Sequence, residues 1–197
     1  LLIKKLYPQY SREFMGEVEN SKYFWGDLHK KIIFFSRNHE FSDIITSNID
    51  NLMPYKDPKR SKYANYWFSS TFAPNQQVFK HVMSDKNIDR LEKSNGTSII
   101  YTHFGYFFKN GQVDIDFIKS IEYLSKKKNG IFKPVSKILN DIALEREQNG
   151  KAKFPKISNL KKIQYELYHL LTRIYFRKIV KIDDYEFKNL NKEMFTK

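Results

Sequence analysis

The sequence lacks several features that would place it in a class at once. It contains no cysteine, which excludes disulfides and cysteine-ligated zinc sites and leaves the cellular compartment open. It has no run of about 20 apolar residues, so no membrane-spanning helix is predicted. The first residue is Leu1 and not methionine, and the sequence does not open with a signal-peptide pattern of basic, apolar and small residues. We therefore expect an N-terminal part of the protein to lie upstream of Leu1.

What the sequence does contain is enough for a folded domain with an excess of positive charge. Of its 197 residues, 41% are hydrophobic and 16% are aromatic, which predicts one domain with a substantial core. The net charge of +13 favours anionic partners such as nucleic acid, an acidic glycan or a lipid surface. The alternative is a biased genomic base composition, because the excess is scattered and mainly lysine. No helix-turn-helix, RNP-like or zinc-finger signature is present, so no specific nucleic-acid partner is predicted.

A stretch of β-branched and aromatic residues from Thr97 to Tyr106 predicts a short buried strand. It follows Asn95-Gly96, which is a helix stop, and its β-rich part ends at His103. A titratable side chain at the carboxyl end of a strand in an α/β fold lies where ligands usually bind. Imidazole titrates near neutrality without help, so His103 is the candidate catalytic residue. The alternative is a buried histidine that donates a hydrogen bond to a backbone carbonyl.

The residues on either side of this strand have helical patterns. A helix capped by Ser84 or Asp85 precedes the strand, and a helix capped by Asp114 or Asp116 follows it after an Asn110-Gly111 turn. A further short strand and helix complete the pattern up to residue 150. Helices and strands that alternate with short connections predict parallel βα units.

The run Ile99-Ile100-Tyr101-Thr102-His103-Phe104-Gly105 resembles the last motif of polysaccharide deacetylases, the carbohydrate esterase family 4 group. That motif is a hydrophobic strand that ends in a histidine. A later helix with Tyr123-Leu124, then the run Gly130-Ile131-Phe132-Lys133-Pro134-Val135-Ser136 and a final helix, also resemble the family. The resemblance covers about Asp85 to Leu144. It implies an α/β fold, namely a partial, deacetylase-like (β/α) barrel with an added C-terminal helix.

The resemblance also implies a reaction for the intact domain, which is the metal-dependent removal of acetyl groups from a glycan. A water activated by the metal attacks the acetamide carbonyl, an aspartate takes its proton, and the motif histidine protonates the leaving amine. Only that histidine, His103, maps onto this chain. The sequence has no Asp-Asp-Gly and no pair of histidines at helical or turn spacing. The divalent metal, expected to be zinc, therefore has no ligands identified in this chain.

Residues 54–84 predict an irregular segment, because Pro54, Pro58 and Pro74 interrupt it. An irregular segment of this length inside a compact domain is usually functional. Within it, Trp67 is the aromatic residue expected to face a ligand, and the alternative is that it covers the edge of the core. Trp67 and Tyr106 are the candidate substrate-binding residues.

The residues before this segment predict two strands, at residues 31–35 and 43–46. His29 and His39 lie near the two strands. No acidic residue stands at ligand spacing around both histidines, so they are not expected to form a metal site.

The C-terminal part predicts a basic amphipathic helix over residues 158–181, after a linker at residues 150–155. Its apolar stripe consists of Leu160, Ile163, Leu167, Leu170, Leu171 and Ile174. The stripe packs either against the barrel wall or on an anionic membrane surface. The domain organisation predicted is thus a late half-barrel at residues 1–150 and a basic helix and tail at residues 151–197.

Three functional hypotheses follow. The first is a polysaccharide deacetylase-like hydrolase fragment that acts on a glycan in the intact protein. The second is a non-catalytic module that binds a glycan or a polyanion. The third is a deacetylase-like relative that has lost catalysis and kept glycan binding.

Overall fold

The structure of the protein is a computed structural model that describes Gly16, residues 18–24 and residues 26–176. Residues 177–181 of the predicted C-terminal helix, and the tail that follows them, lie outside this part of the chain. The α-helices are α1 (Gly26–Ile32), α2 (Thr46–Ile49), α3 (Gln76–Val82), α4 (Asp85–Lys93), α5 (Ile115–Ser125), α6 (Val135–Gln148) and α7 (Asn159–Ile174). The strands are β1 (Phe35–Phe41), β2 (Tyr66–Phe72), β3 (Ile100–Tyr101), β4 (Phe108–Lys109) and β5 (Gln112–Val113). Short 3-10 helices lie at Pro58–Arg60 and Phe104–Phe107.

The fold of the described residues is mixed α/β, as the sequence predicted. One sheet has the strand order β1-β2-β3, and β2 pairs with β3 in parallel, with Thr71 opposite Ile100. The strands β4 and β5 form a hairpin. Its turn residues Asn110 and Gly111 both have positive φ angles, of 53° and 77°. Two such residues match the tight hairpin turn that Asn-Gly favours, so the predicted turn is confirmed.

The chain divides into two compact units, each built from three separate segments. Unit 1 consists of Leu1–His39, Asp50–Ser69 and Phe132–Glu166. Unit 2 consists of Glu40–Ile49, Ser70–Ile131 and Leu167–Lys197. The predicted boundary at residue 150 coincides with none of these divisions.

The core of unit 2 forms around the helices and strand that the sequence predicted most clearly. Val78, Phe79 and Ile88 are buried in it. The ring of Phe107, from the 3-10 helix at Phe104–Phe107, and the ring of Phe117, from α5, pack against Phe79. Asp114 caps α5, because its Oδ1 accepts a hydrogen bond of 2.9 Å from the backbone N–H of Phe117. The predicted helix at Asp85–Lys93 is confirmed as α4.

The core of unit 1 contains aromatic residues and the inner face of α6. Leu139 and Ala143, one helical turn apart, are fully buried on that face. Tyr55 and Tyr165 are also fully buried. Buried phenol groups require hydrogen-bond partners. The hydroxyl of Tyr55 accepts a hydrogen bond of 3.2 Å from the side-chain amide of Asn38, and the partner of Tyr165 is described below.

Two predicted strands are wrong. Residues 31–35 contain the end of α1, a turn and the first residue of β1, so the strand begins where the prediction ended. Residues 43–46 form a turn that leads into α2, because the Asp43 Oδ1 accepts a hydrogen bond of 2.8 Å from the N–H of Ile45. A side chain that captures a nearby backbone donor competes with strand pairing.

The prediction that residues 54–84 are irregular is also wrong, because the segment contains β2 and α3. Pro58 occupies the first position of a 3-10 helix, where the missing N–H costs nothing. Pro74 follows the end of β2 and precedes α3. The prolines therefore mark the ends of elements and do not interrupt them.

The helix α7 confirms the predicted start, since Ser158 Oγ accepts a hydrogen bond from the N–H of Lys161. Its buried face carries Tyr165, Thr172 and, just beyond the helix, Phe176. Of the predicted apolar stripe, Leu170 is buried and four residues are exposed, namely Leu160, Ile163, Leu167 and Leu171. The stripe is therefore covered only in part. Within the described residues, no helix has the length and apolar character needed to cross a membrane.

Candidate functional site

The parallel strands β2 and β3 stay hydrogen-bonded beyond their last residues. The N–H of Ala73 donates to the carbonyl of Tyr101 at 3.0 Å, and the N–H of His103 donates to the carbonyl of Pro74 at 3.2 Å. His103 therefore lies at the carboxyl edge of this strand pair, as predicted. This edge is where parallel sheets place their ligands.

A chain of buried hydroxyl groups fixes the start of this arrangement. The N–H of Ile99 donates to Thr46 Oγ1 at 2.9 Å, and Thr46 Oγ1 lies 2.9 Å from Thr71 Oγ1. Thr71 Oγ1 donates in turn to the carbonyl of Asp43 at 2.7 Å. Since each hydroxyl has one proton, Thr46 must donate to Thr71. These bonds hold the entry to β3 against β2 and so set the position of His103.

The imidazole of His103 is exposed and lies between two tyrosine rings. Its Nε2 is 2.6 Å from the hydroxyl of Tyr101, two residues before it on the strand. The ring centroids of Tyr101 and Tyr106 lie 4.9 Å and 5.8 Å from the imidazole, both nearly at right angles to it. An exposed imidazole held by a phenol and two ring edges can exchange a proton with a ligand.

A shallow depression of about 80 Å³ lies beside this group and is lined by Asn75, Gln76, Gln77 and Tyr106. Asn75 is fixed in the wall, because its Oδ1 accepts a hydrogen bond of 3.0 Å from the N–H of Val78. Tyr106 faces both the depression and the imidazole. The structure therefore brings together two predicted site residues, His103 and Tyr106, at a small polar surface in unit 2.

Trp67, the other candidate substrate-binding residue, belongs to unit 1 and is buried. The guanidinium carbon of Arg60 lies 3.7 Å from its ring centroid. A cation thus covers one face of the indole, where a sugar ring would have to stack. The position of Trp67 favours the alternative stated above, in which it covers the core.

No group of three or more histidine, aspartate or glutamate side chains that could hold a metal ion occurs in the described part of the chain. His29 Nε2 lies 3.1 Å from Ser36 Oγ, and the ring of His39 packs 5.8 Å from that of Tyr165. The donor set of zinc, with three or four such ligands converging on one point, is therefore not supplied by these residues.

A buried polar cluster in unit 1 was not predicted from the sequence. Its centre is Asp50, whose carboxylate accepts hydrogen bonds from Ser69 Oγ at 2.6 Å and from the hydroxyl of Tyr165 at 2.8 Å. The backbone N–H groups of Leu52 and Met53 also favour its charged form. Burial raises the pKa of Asp50, although all four donors act to lower it. Burial raises the pKa of Tyr165 as well, and the nearby Asp50 charge adds to that effect.

Arg146 of α6 also belongs to the cluster, because its guanidinium group donates hydrogen bonds to backbone carbonyls of the loop that follows Asp50. Its Nη2 donates to the carbonyl of Met53 at 2.8 Å, and its Nη1 donates to those of Pro54 and Lys153 at 3.3 Å and 3.1 Å. Burial lowers the pKa of this guanidinium. All of these groups face one another inside unit 1, so the cluster has a structural role.

The chemistry available beside the depression is thus that of the exposed His103 imidazole with its two tyrosines and a wall of amides. Amides and aromatic rings bind neutral hydroxyl-rich ligands through hydrogen bonds and apolar contact. Comparison with protein-family models, with curated proteins and with solved structures found no match to this chain.

Proposed function

We propose that this chain is the later half of a polysaccharide deacetylase-like barrel and that His103 exchanges a proton with the glycan in the intact protein. The observation that carries the proposal is the position of His103. Its exposed imidazole stands at the carboxyl edge of β3, where β3 runs parallel to β2. A strand of the family motif ends in a histidine in the same way.

The proposed step is donation of a proton to the leaving nitrogen as the bond between the acetyl carbon and that nitrogen breaks. Among the described residues, the Nε2 atom of His103 is hydrogen-bonded to the Tyr101 hydroxyl, and no group forms a hydrogen bond with its Nδ1 atom. Nδ1 is therefore the atom we assign to proton exchange with the glycan. Tyr101 orients the ring, and the aromatic edge of Tyr106 together with Gln76 and Gln77 contacts the sugar. The residues that the structure describes do not fit a metal site, so no step through a metal is assigned to them.

The binding part of the proposal is tested by NMR on the chain labelled at its histidine rings. Addition of an N-acetylglucosamine oligomer should shift the His103 signals in a saturable way, and Tyr106→Ala should weaken the effect. The matched control is His81, another exposed histidine whose Nε2 bonds a tyrosine hydroxyl, that of Tyr175, at 2.8 Å. Equal shifts at both histidines, or none at His103, would contradict the proposal.

The catalytic part is tested in the full-length protein by acetate release. His103→Ala should lower kcat by about 100-fold or more with a small change in KM, because proton donation acts in the transition state. His81→Gln should leave both constants unchanged. Full activity of the His103→Ala protein would contradict the catalytic role.

A non-catalytic glycan-binding module is the second candidate function. It is favoured by the amide wall, which offers hydrogen bonds to sugar hydroxyls without any reactive group. Saturable oligomer binding at His103 without any acetate release by the full-length protein would select this candidate.

A further inference from the structure

Unit 1 exposes three large apolar side chains close together in the sequence, around the turn from α1 to β1. The exposed fractions of Leu28, Ile32 and Phe34 are 50%, 69% and 50%. Leu28 and Ile32 are four residues apart on α1 and so share one face of that helix. Single exposed apolar residues are common, but a group of them marks a surface that contacts something apolar.

Hydrogen bonds hold this turn in place. The N–H of Ile33 donates to the carbonyl of His29 at 2.7 Å. The side-chain amide of Asn65 donates to the carbonyls of Lys30 and Ile33, at 2.7 Å and 3.1 Å. The exposed side chains are therefore presented by a fixed backbone.

The ring of Phe34 packs against other aromatic rings. Its ring lies 4.8 Å from that of Phe35 and 4.8 Å from that of Tyr66, edge-on in both cases. The Tyr66 ring is in turn stacked on the ring of Phe154 at 3.7 Å. The Phe34 side chain is thus half-buried against these rings, and the rest of it is exposed.

Lysines accompany the apolar residues. Lys30 and Lys31 lie in the last turn of α1 and are exposed. The Lys56 ammonium lies 5.6 Å from the centroid of the Tyr66 ring, and Lys156 pairs with Lys56 in a short β-bridge. In the described part of the chain, none of these four lysines has a carboxylate within ion-pair distance. Their charge is available to an anionic partner.

We propose that this surface, formed by Leu28, Ile32, Phe34 and the four lysines, binds an anionic lipid bilayer. The apolar side chains enter the boundary between headgroups and acyl chains, and the lysines contact the charged headgroups. A hydrated polyanion fits less well, because Leu28 and Ile32 would remain in water against it. The Tyr66 ring is also less available for base or sugar stacking, since it is already stacked on Phe154 and has the Lys56 ammonium 5.6 Å from its centroid.

The apolar part is tested by sedimentation of the full chain with vesicles of phosphatidylcholine containing about 30% phosphatidylserine. Ile32→Ser, alone and with Phe34→Ser, should weaken vesicle binding, the double variant by about tenfold or more. The single variant guards against loss of folding, because Phe34 packs on other rings. The matched control is Ile115→Ser, which changes an isoleucine of 59% exposure that stands between Asp114 and Asp116. It should change binding by less than about twofold, because carboxylates keep that surface away from an anionic bilayer.

The charged part is tested by comparing two double variants. Lys30→Glu/Lys31→Glu changes the proposed surface. Lys126→Glu/Lys128→Glu is the control, because it changes two exposed lysines of unit 2 and alters the net charge by the same amount. The first pair should weaken binding by about tenfold or more and the second far less, since lysines at the bilayer each add about 1 kcal/mol. Pure phosphatidylcholine vesicles should bind weakly.

Three outcomes would overturn the proposal. One is that the native chain, the Ile32→Ser variant and the Ile32→Ser/Phe34→Ser variant, all folded, bind vesicles equally. Another is self-association that these substitutions abolish, without vesicle binding by the native chain, which would assign the surface to a second copy. The third is binding only to a soluble polyanion.

Discussion

Asp50 is the carboxyl group on which the buried polar cluster of unit 1 converges, and it is fully buried. Burial raises its pKa above the ordinary value of 3.8. Between 3.8 and the raised value, the native state binds a proton that the unfolded chain has released. The free energy of unfolding must therefore fall as the pH rises through this range, with a slope of up to about 1.4 kcal/mol per pH unit from this group.

We expect Asp50→Asn to remove that slope, because the amide mimics the neutral carboxyl and carries no titrating proton. Tyr165→Phe should instead keep the slope and lower stability by about 1 to 3 kcal/mol, since it removes a hydroxyl donor from a buried acid. Urea unfolding at a series of pH values measures both effects. A native-like slope in the folded Asp50→Asn protein would show that another group is responsible.

His103 and Asp50 show what sequence reasoning can find at the scale of single residues. The signal for His103 is local, because a β-rich run and a following loop stand next to it in the chain. The partners of Asp50 lie 19 and 115 residues away, at Ser69 and Tyr165. No spacing rule connects them, so this cluster could be recognised only in three dimensions.

At the scale of elements, α7 gives a sharp test of helix orientation. Leu170 has 9% of its surface exposed, whereas its neighbour Leu171 has 48%. Leu170→Ala should therefore lower the free energy of unfolding by about 2 to 4 kcal/mol, and Leu171→Ala by less than about 1 kcal/mol. Thermal or urea unfolding of the two variants measures the difference. Similar losses for both would mean that the helix is rotated from the orientation described here.

The sequence did not fix this orientation because α7 has two possible apolar faces. One contains the exposed leucines, and the other contains Tyr165, Thr172 and Phe176, which interact inside the protein. A tyrosine bonded to a buried carboxylate cannot be distinguished from a surface tyrosine by pattern alone. The same limit applies to Trp67, because only the structure shows Arg60 on its ring.

The contact of residues 158–181 with an anionic membrane remains a proposal, and the charges of α7 bear on it. Lys162 forms an ion pair with Asp57, and Arg173 forms one with Glu40 at 2.7 Å. Both cations are thus partly neutralised, which leaves less charge for lipid than the sequence suggests. Leu167→Ser/Leu171→Ser in the vesicle assay distinguishes this helix from the surface around α1.

At the scale of the whole molecule, the sequence predicted the fold class, whereas the two compact units combine residues that lie far apart in the chain. The alternation of helix and strand around β3 is local, and it gave the mixed α/β class and the helices α4 and α5. The two units are each assembled from three separated segments. Which segments pack together depends on long-range contacts that composition and periodicity do not encode, so a contiguous division at residue 150 was the simplest expectation.

The net charge of +13 is also a property of the whole molecule, and it separates two of the functional hypotheses. Scattered charge attracts any polyanion in proportion to net charge, whereas a polyanion-binding module concentrates the attraction at one site. Lys30→Glu/Lys31→Glu and Lys126→Glu/Lys128→Glu lower the net charge equally. On a column of sulfated polysaccharide we expect both variants to elute at lower salt than the native chain and close to each other.

That expectation follows from the proposed roles of the two regions. The lysines near α1 are assigned to a bilayer, where apolar side chains add to their effect, and a soluble polymer offers no apolar phase. Elution that shifts for one pair of substitutions and not for the other would locate a dedicated polyanion site at that pair. It would then favour the binding module over the deacetylase-like enzyme, because scattered charge predicts no such difference.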